Sequence, residues 1–113
     1  MKLFLIRHPE TRWNQRRLFQ GTKEGTISEK GKLATKSFVL RTKKTRIDAI
    51  YHATNKRCKF LAEELYLLHP ESAVSNDSRL NERSFGSLEG RSEKRYALSS
   101  SFESKDPENK FEW

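Results

Sequence analysis

A chain of 113 residues, 34% hydrophobic and 34% charged, has room for one small domain and one core, since compact domains run about 100–150 residues. Its apolar share lies below the roughly 45–50% of an average soluble domain, which predicts a thin core. The 23 Lys and Arg against 15 Asp and Glu give a formal charge of +8, which favours anionic partners. The single cysteine, Cys58, excludes an intrachain disulfide, leaves no thiolate pair for a metal, and points to a reducing cytoplasm. In chain order, residues 3–6 form a continuous apolar run, too short for a signal peptide or a membrane span, and predict a strand covered on both faces. Residues 9–27 read as a long loop with at most one helical turn near 14–18. Ser28 is placed to cap a helix that turns Leu33, Phe38, Val39 and Leu40 inward and ends in the basic stretch 41–44. Residues 47–52 predict a second strand, and 55–68 a second helix with Phe60, Leu61, Leu65 and Leu68 facing the core, stopped by Pro70. A weaker third strand follows over 72–76, then a turn-rich segment over 79–90 and a Ser- and charge-rich tail over 91–113. The alternation of strands and helices predicts an α/β fold, a three-layer sandwich around a mostly parallel sheet.

Arg7 and His8 leave the first predicted strand directly, which places both at the carboxyl end of a parallel sheet, where α/β folds bind ligands. A neutral imidazole is a nucleophile, and a neighbouring arginine favours the neutral form. Arginine also clamps phosphoryl oxygens in bidentate fashion. By itself such a pair is usually a surface feature; its surroundings change the reading. Residues 7–14 run Arg7-His8-Pro9-Glu10-Thr11-Arg12-Trp13-Asn14. They are followed by Phe19-Gln20-Gly21, by Ile27-Ser28-Glu29-Lys30-Gly31, and by Arg57 after the second strand. Residues 79–90 read Arg79-Leu80-Asn81-Glu82-Arg83-Ser84-Phe85-Gly86-Ser87-Leu88-Glu89-Gly90.

In this order these elements resemble the histidine phosphatase superfamily, the phosphoglycerate-mutase-like proteins. The first matches its Arg-His-Gly-Glu-Thr-x-x-Asn signature, and the last its Leu-x-Glu-x-x-Phe-Gly-x-x-Glu-Gly segment. The resemblance covers residues 3–90 and implies that His8 attacks a phosphate monoester to form a phosphohistidine, that Arg7 and Arg57 hold the phosphoryl oxygens, and that Glu82 protonates the leaving alkoxide. Asn14 is a candidate amide donor to the same phosphoryl group, and Gly21 a place for close approach of backbone to substrate. An arginine cage supplies charge and in-line positioning without a metal or cofactor. Without the motif, Arg57 would read as a solvated charge at a helix start, Trp13 as core and Gly31 as a packing residue.

Two departures stand out. Pro9 replaces the family's glycine, removing a backbone N–H and favouring an extended His8. The family's second catalytic histidine has no counterpart after Gly90, because the last histidine is His69; His69 itself reads as a cap or surface residue, and His52 as the other histidine at a strand end. The resemblance implies a first strand that pairs with strands from later sequence. The chain therefore predicts a truncated domain with an incomplete sheet, impaired activity, and an exposed edge open to self-association. The expected partner is a small phosphorylated substrate, with no specific nucleic acid and no membrane, and the short loop over 22–28 leans toward phosphatase over mutase. Two alternatives stay open: an inactive phosphate-binding or interaction module, and nonspecific nucleic-acid binding by the basic surface, including Arg16, Arg17, Lys43, Lys44 and Arg46.

Overall fold

The computed structural model describes residues 1–94, so the expected tail from residue 95 onward lies outside the described residues. Ser28 and the apolar spacing behind it produce α2 (Glu29–Arg41), after the single turn of α1 (Arg12–Gln15). The Ser28 hydroxyl oxygen accepts the Gly31 N–H at 3.0 Å, a cap worth about 1 kcal/mol. Glu29 in the first turn and Arg41 in the last suit the helix dipole. The chain continues as β1 (Ala49–His52), α3 (Lys56–Leu68) and β2 (Ala73–Asn76), then two short 3-10 turns, Ser78–Leu80 and Gly86–Leu88.

β1 and β2 pair in parallel, Ala49 opposite Ala73 through His52 opposite Asn76, with α3 as the crossover between them. Val39 from α2, Ile50 from β1 and Leu61, Ala62 and Leu65 from α3 form the core, with Phe38, Ile47 and Leu68 packed against it. This is the predicted α/β arrangement of helices on a parallel sheet. His69 ends α3 as its C-cap, but it is buried, not on the surface, and its Nε2 lies 2.9 Å from the Thr42 hydroxyl at the end of α2.

Two expectations are corrected. Residues 3–6 are not a strand, and Leu3, Phe4, Leu5 and Ile6 are all exposed. An apolar run becomes a central strand only when other strands take its backbone hydrogen bonds. Among the described residues the two strands pair only with each other and neither takes residues 3–6 as a neighbour. On α2 the inward face is Gly31, Thr35 and Val39, whereas Leu33 and Leu40 are 68% and 66% exposed. Thr35 is tolerated inside because its hydroxyl donates to the Gly31 carbonyl at 2.8 Å.

Candidate active site

The segment that carries His8 is held from below. Thr11 caps α1 in a reciprocal arrangement: its hydroxyl oxygen accepts the Asn14 N–H at 3.2 Å and its own N–H donates to Asn14 Oδ1 at 2.9 Å. The Thr11 hydroxyl also donates to Gln20 Oε1 at 2.9 Å. One residue earlier the Glu10 carbonyl accepts the Ser28 N–H at 3.0 Å, which ties the loop to the start of α2. His8 is half-buried, and its Nδ1 lies 2.7 Å from the Pro9 carbonyl oxygen. A carbonyl only accepts, so Nδ1 carries the proton and the lone pair stands on Nε2. Burial is the main influence holding the His8 pKa below 6.5; the Pro9 bond opposes it, Arg57 and Arg7 lower it further, and Glu82 raises it. The imidazole is thus neutral and nucleophilic at pH 7. Proline at position 9 keeps the carbonyl that this contact uses and lacks only the N–H.

Arg57, expected from its position alone to be solvated, is 2% exposed. It lies in the first turn of α3, and its guanidinium donates to the Lys23 carbonyl at 3.0 Å and to the Gly21 carbonyl at 2.6 Å. Its buried Nε has no partner, and it forms no ion pair with a carboxylate among the described residues. Gly21 has φ +53°, and a Cβ there would lie 2.5 Å from Glu89 Oε1 and 2.8 Å from Phe85 Cδ2. Glycine is needed here for both the conformation and the space. Glu89 fastens the same loop, accepting the Thr22 N–H and hydroxyl at 2.9 Å each and the Phe85 N–H at 3.2 Å. The rings of Phe19 and Phe85 lie 5.4 Å apart. Glu24, at the far side of the loop, accepts the Lys56 N–H that opens α3.

The predicted residues fall into one neighbourhood. Arg7, Arg57 and Glu82 all act electrostatically on His8. Glu82 is exposed, and its Oε1 accepts the Arg83 N–H at 3.2 Å. Asn14 joins Arg7 and His8 in lining a cavity of about 350 Å³, completed by Glu10, Arg17 and Glu93. Thr11 occupies the Asn14 carbonyl oxygen, and the Asn14 NH₂ makes no bond within this network. Gly21 is placed behind Arg57: its carbonyl orients the guanidinium. Among the described residues no group of three His, Cys, Asp or Glu side chains is placed to hold a metal ion, and no helix is long and apolar enough to cross a membrane.

Sequence reasoning gave four residues of this region no part in the site. Glu89 had a signal, as the second glutamate of the motif over 79–90, yet its part in fastening the loop depends on folding. Gln20, 1% exposed, stood beside Gly21 without a stated role. Arg17 and Glu93 lie in no motif, and only the cavity brings them to His8.

Residues 3–111 match the histidine phosphatase superfamily (branch 1). A Schizosaccharomyces pombe protein called a probable phosphatase is 36% identical over 90 residues, 80% of this chain and 43% of its own length. The 2,3-bisphosphoglycerate-dependent phosphoglycerate mutase of Bartonella bacilliformis is 30% identical over 92 residues, 78% of this chain and 45% of the mutase. The solved structure of Bacillus stearothermophilus YhfR superposes with a TM-score of 0.76 at 28% identity, covering 85% of this chain and 47% of that one. The chain thus spans a little under half the length of the curated relatives it matches. On the match over residues 3–111 and the shared fold, the chain belongs to the histidine phosphatase superfamily.

Proposed function

We propose that this chain serves phosphomonoester hydrolysis or phosphoryl transfer through a phosphohistidine at His8. The observation that carries the reading is Arg57: a buried guanidinium held by two backbone carbonyls, without a carboxylate partner among the described residues, acting on a neutral imidazole. Burying an uncompensated cation is costly, and a phosphate dianion supplies the missing charge. In the first step Nε2 attacks phosphorus, the N–P bond forms, the ester P–O bond breaks and Glu82 gives its proton to the departing alkoxide. In the second step water attacks, the N–P bond breaks, and the Glu82 carboxylate takes the proton, restoring both groups. Arg7, Arg57 and Asn14 hold the phosphoryl oxygens through both steps, and Gly21 acts by presenting the carbonyl that aims Arg57. No metal is required, because the arginines supply the positive charge. The substrate is a small phosphorylated molecule, and the lone Cys58 fits a cytoplasmic setting.

A second reading, phosphate binding without turnover, is favoured by the other histidines. His69 is buried against Thr42 and Glu71, and His52 directs Nδ1 to the Ala53 carbonyl at 2.7 Å. Neither is among the groups that act on the charge of His8.

The test is to incubate the chain and its His8→Ala variant with an aryl phosphate and to measure acid-labile protein phosphate and phenol release together. His8-dependent labelling with multiple turnovers supports the enzyme. Phosphate binding by the folded chain without labelling would leave the second reading.

A further inference from the structure

Arg57 and Glu82 depend on two parts of the chain far apart in sequence. The loop over 20–24 supplies the Gly21 and Lys23 carbonyls that hold the Arg57 guanidinium, whereas Glu82 belongs to the segment over 79–90. The two parts touch: the Arg83 carbonyl lies 3.0 Å from where a Cβ on Gly21 would stand. The immediate neighbour of Glu82 thus packs on the residue whose carbonyl aims Arg57.

Backbone hydrogen bonds between residues 17–19 and 90–93 bring these parts together. The Glu93 N–H donates to the Arg17 carbonyl at 3.0 Å, the Phe19 N–H to the Arg91 carbonyl at 3.0 Å, and the Gly90 N–H to the Phe19 carbonyl at 2.7 Å. Leu18 and Ser92 form an antiparallel bridge within the same pairing. Glu89 then continues the joint with its side chain. Its Oε1 accepts the Thr22 N–H and hydroxyl from the Arg57 loop at 2.9 Å each. The same oxygen accepts the Phe85 N–H at 3.2 Å and, more distantly, the Ser84 hydroxyl at 3.5 Å from the Glu82 segment. Burial opposes the charge of this carboxylate, but the Thr22 N–H and hydroxyl, the Phe85 N–H and the Lys23 charge outweigh it and hold the pKa below the ordinary 4.5. Glu89 is therefore an anion at pH 7, and its hydrogen bonds are of the stronger, charge-assisted kind. Among the described residues it forms no ion pair.

We infer that Glu89 is a positioning residue for phosphoryl transfer: one carboxylate oxygen ties the loop that aims Arg57 to the segment that carries Glu82, and so sets the reach between the phosphate-holding cation and the proton donor. This role rests on the reading of His8, Arg57 and Glu82 under the proposed function and adds the group that fixes their spacing. A general acid works only within hydrogen-bond reach of the leaving oxygen, and a small displacement of a supporting group lowers the rate. Cutting the tie lets Glu82 move independently of Arg57, so proton donation suffers selectively. Phenolate, whose conjugate acid titrates near ~10, needs that proton to depart. A nitrophenolate is a weaker base and departs with little help.

The experiment measures His8-dependent labelling of the full chain by phenyl phosphate and by 4-nitrophenyl phosphate, with calorimetric binding of inorganic phosphate alongside. Glu89→Ala should lower the phenyl phosphate rate about tenfold more than the 4-nitrophenyl phosphate rate, and should weaken phosphate binding as Arg57 loses its support. Thr22→Val, which deletes one bond and keeps the N–H, should shift the ratio of rates the same way by less. Glu89→Gln keeps an accepting oxygen in place and should restore most of the ratio. The ratio on one preparation is the readout, because partial unfolding lowers both rates together and leaves it unmoved. If Glu89→Ala does not fold, Thr22→Val alone decides. Unchanged ratios, with the wild-type chain labelled at His8, overturn the positioning role and leave the nucleophile and phosphate site standing. No labelling of the wild-type chain overturns the role and the proposed function together.

Discussion

The guanidinium of Arg57 donates to the carbonyl of Gly21, 36 residues earlier in the chain, at 2.6 Å. That contact joins the first turn of α3 to the loop that follows α1, so the buried cation and the loop geometry are one construction. Arg57→Ala should cost about 2–4 kcal/mol of stability, because it strands the Gly21 and Lys23 carbonyls and empties a buried volume. Arg57→Lys keeps the charge but loses the fork that reaches both carbonyls, and should recover only part of that stability. Urea denaturation alongside phosphate titration separates the two losses.

The His8 imidazole should titrate below 6.5, since burial and the nearby Arg57 and Arg7 outweigh the Pro9 bond and Glu82. The unfolded chain then takes up the proton first as pH falls. Between 6.5 and the folded midpoint the unfolded state holds more protons, so His8 makes stability decline on acidification through that window and has no such effect above it. NMR titration of the imidazole should show the low midpoint, Arg7→Gln should raise it, and His8→Ala should flatten the stability slope within the window. A midpoint above 6.5 would contradict the site electrostatics.

Gly21 and Gly86 both hold positive φ, 53° and 56°, but only Gly21 is hemmed in; nothing lies within 4 Å of a Cβ at Gly86. Gly86→Ala should therefore cost about 1 kcal/mol of backbone strain alone. Gly21→Ala adds collisions with Glu89 and Phe85 and should cost at least about 2 kcal/mol. The difference between the two denaturation midpoints is the measurement.

Arg17 lies in the same left-handed region without being glycine. Arg17→Gly should relieve the strain and raise stability by about 0.5–1 kcal/mol, even after glycine's larger unfolded-state entropy. Thermal melting checks the gain. Stabilisation on losing a charged side chain would show that the native residue is retained against a folding cost, as residues in binding sites often are.

Much of this was legible before folding. Ser28 and Pro70 punctuate helices whose limits, Glu29–Arg41 and Lys56–Leu68, follow from capping, periodicity and the proline stop, which are local signals. The family was legible too, because the segments over 7–14 and 79–90 carry recognisable motifs. Residues 3–6 were misread because apolar content says that a segment wants burial, while pairing depends on strands supplied from elsewhere. Leu33 and Leu40 were misread because a helix with few apolar residues leaves its inward direction ambiguous, and a self-bonded Thr35 took the buried position. Arg17 and Glu93 were invisible as a pair, since 76 residues of sequence separate them and only backbone bonds bring them together.

The lacing of residues 17–19 to 90–93 has a kinetic consequence. The amides of Phe19, Gly90 and Glu93 are each closed by a carbonyl on the opposite segment, so none is released to solvent without parting the two strands. They should exchange hydrogen for deuterium at a common rate, as one opening unit. A ligand that fills the cavity lined by His8, Arg17 and Glu93 should slow all three together, giving a record of occupancy along backbone away from the nucleophile.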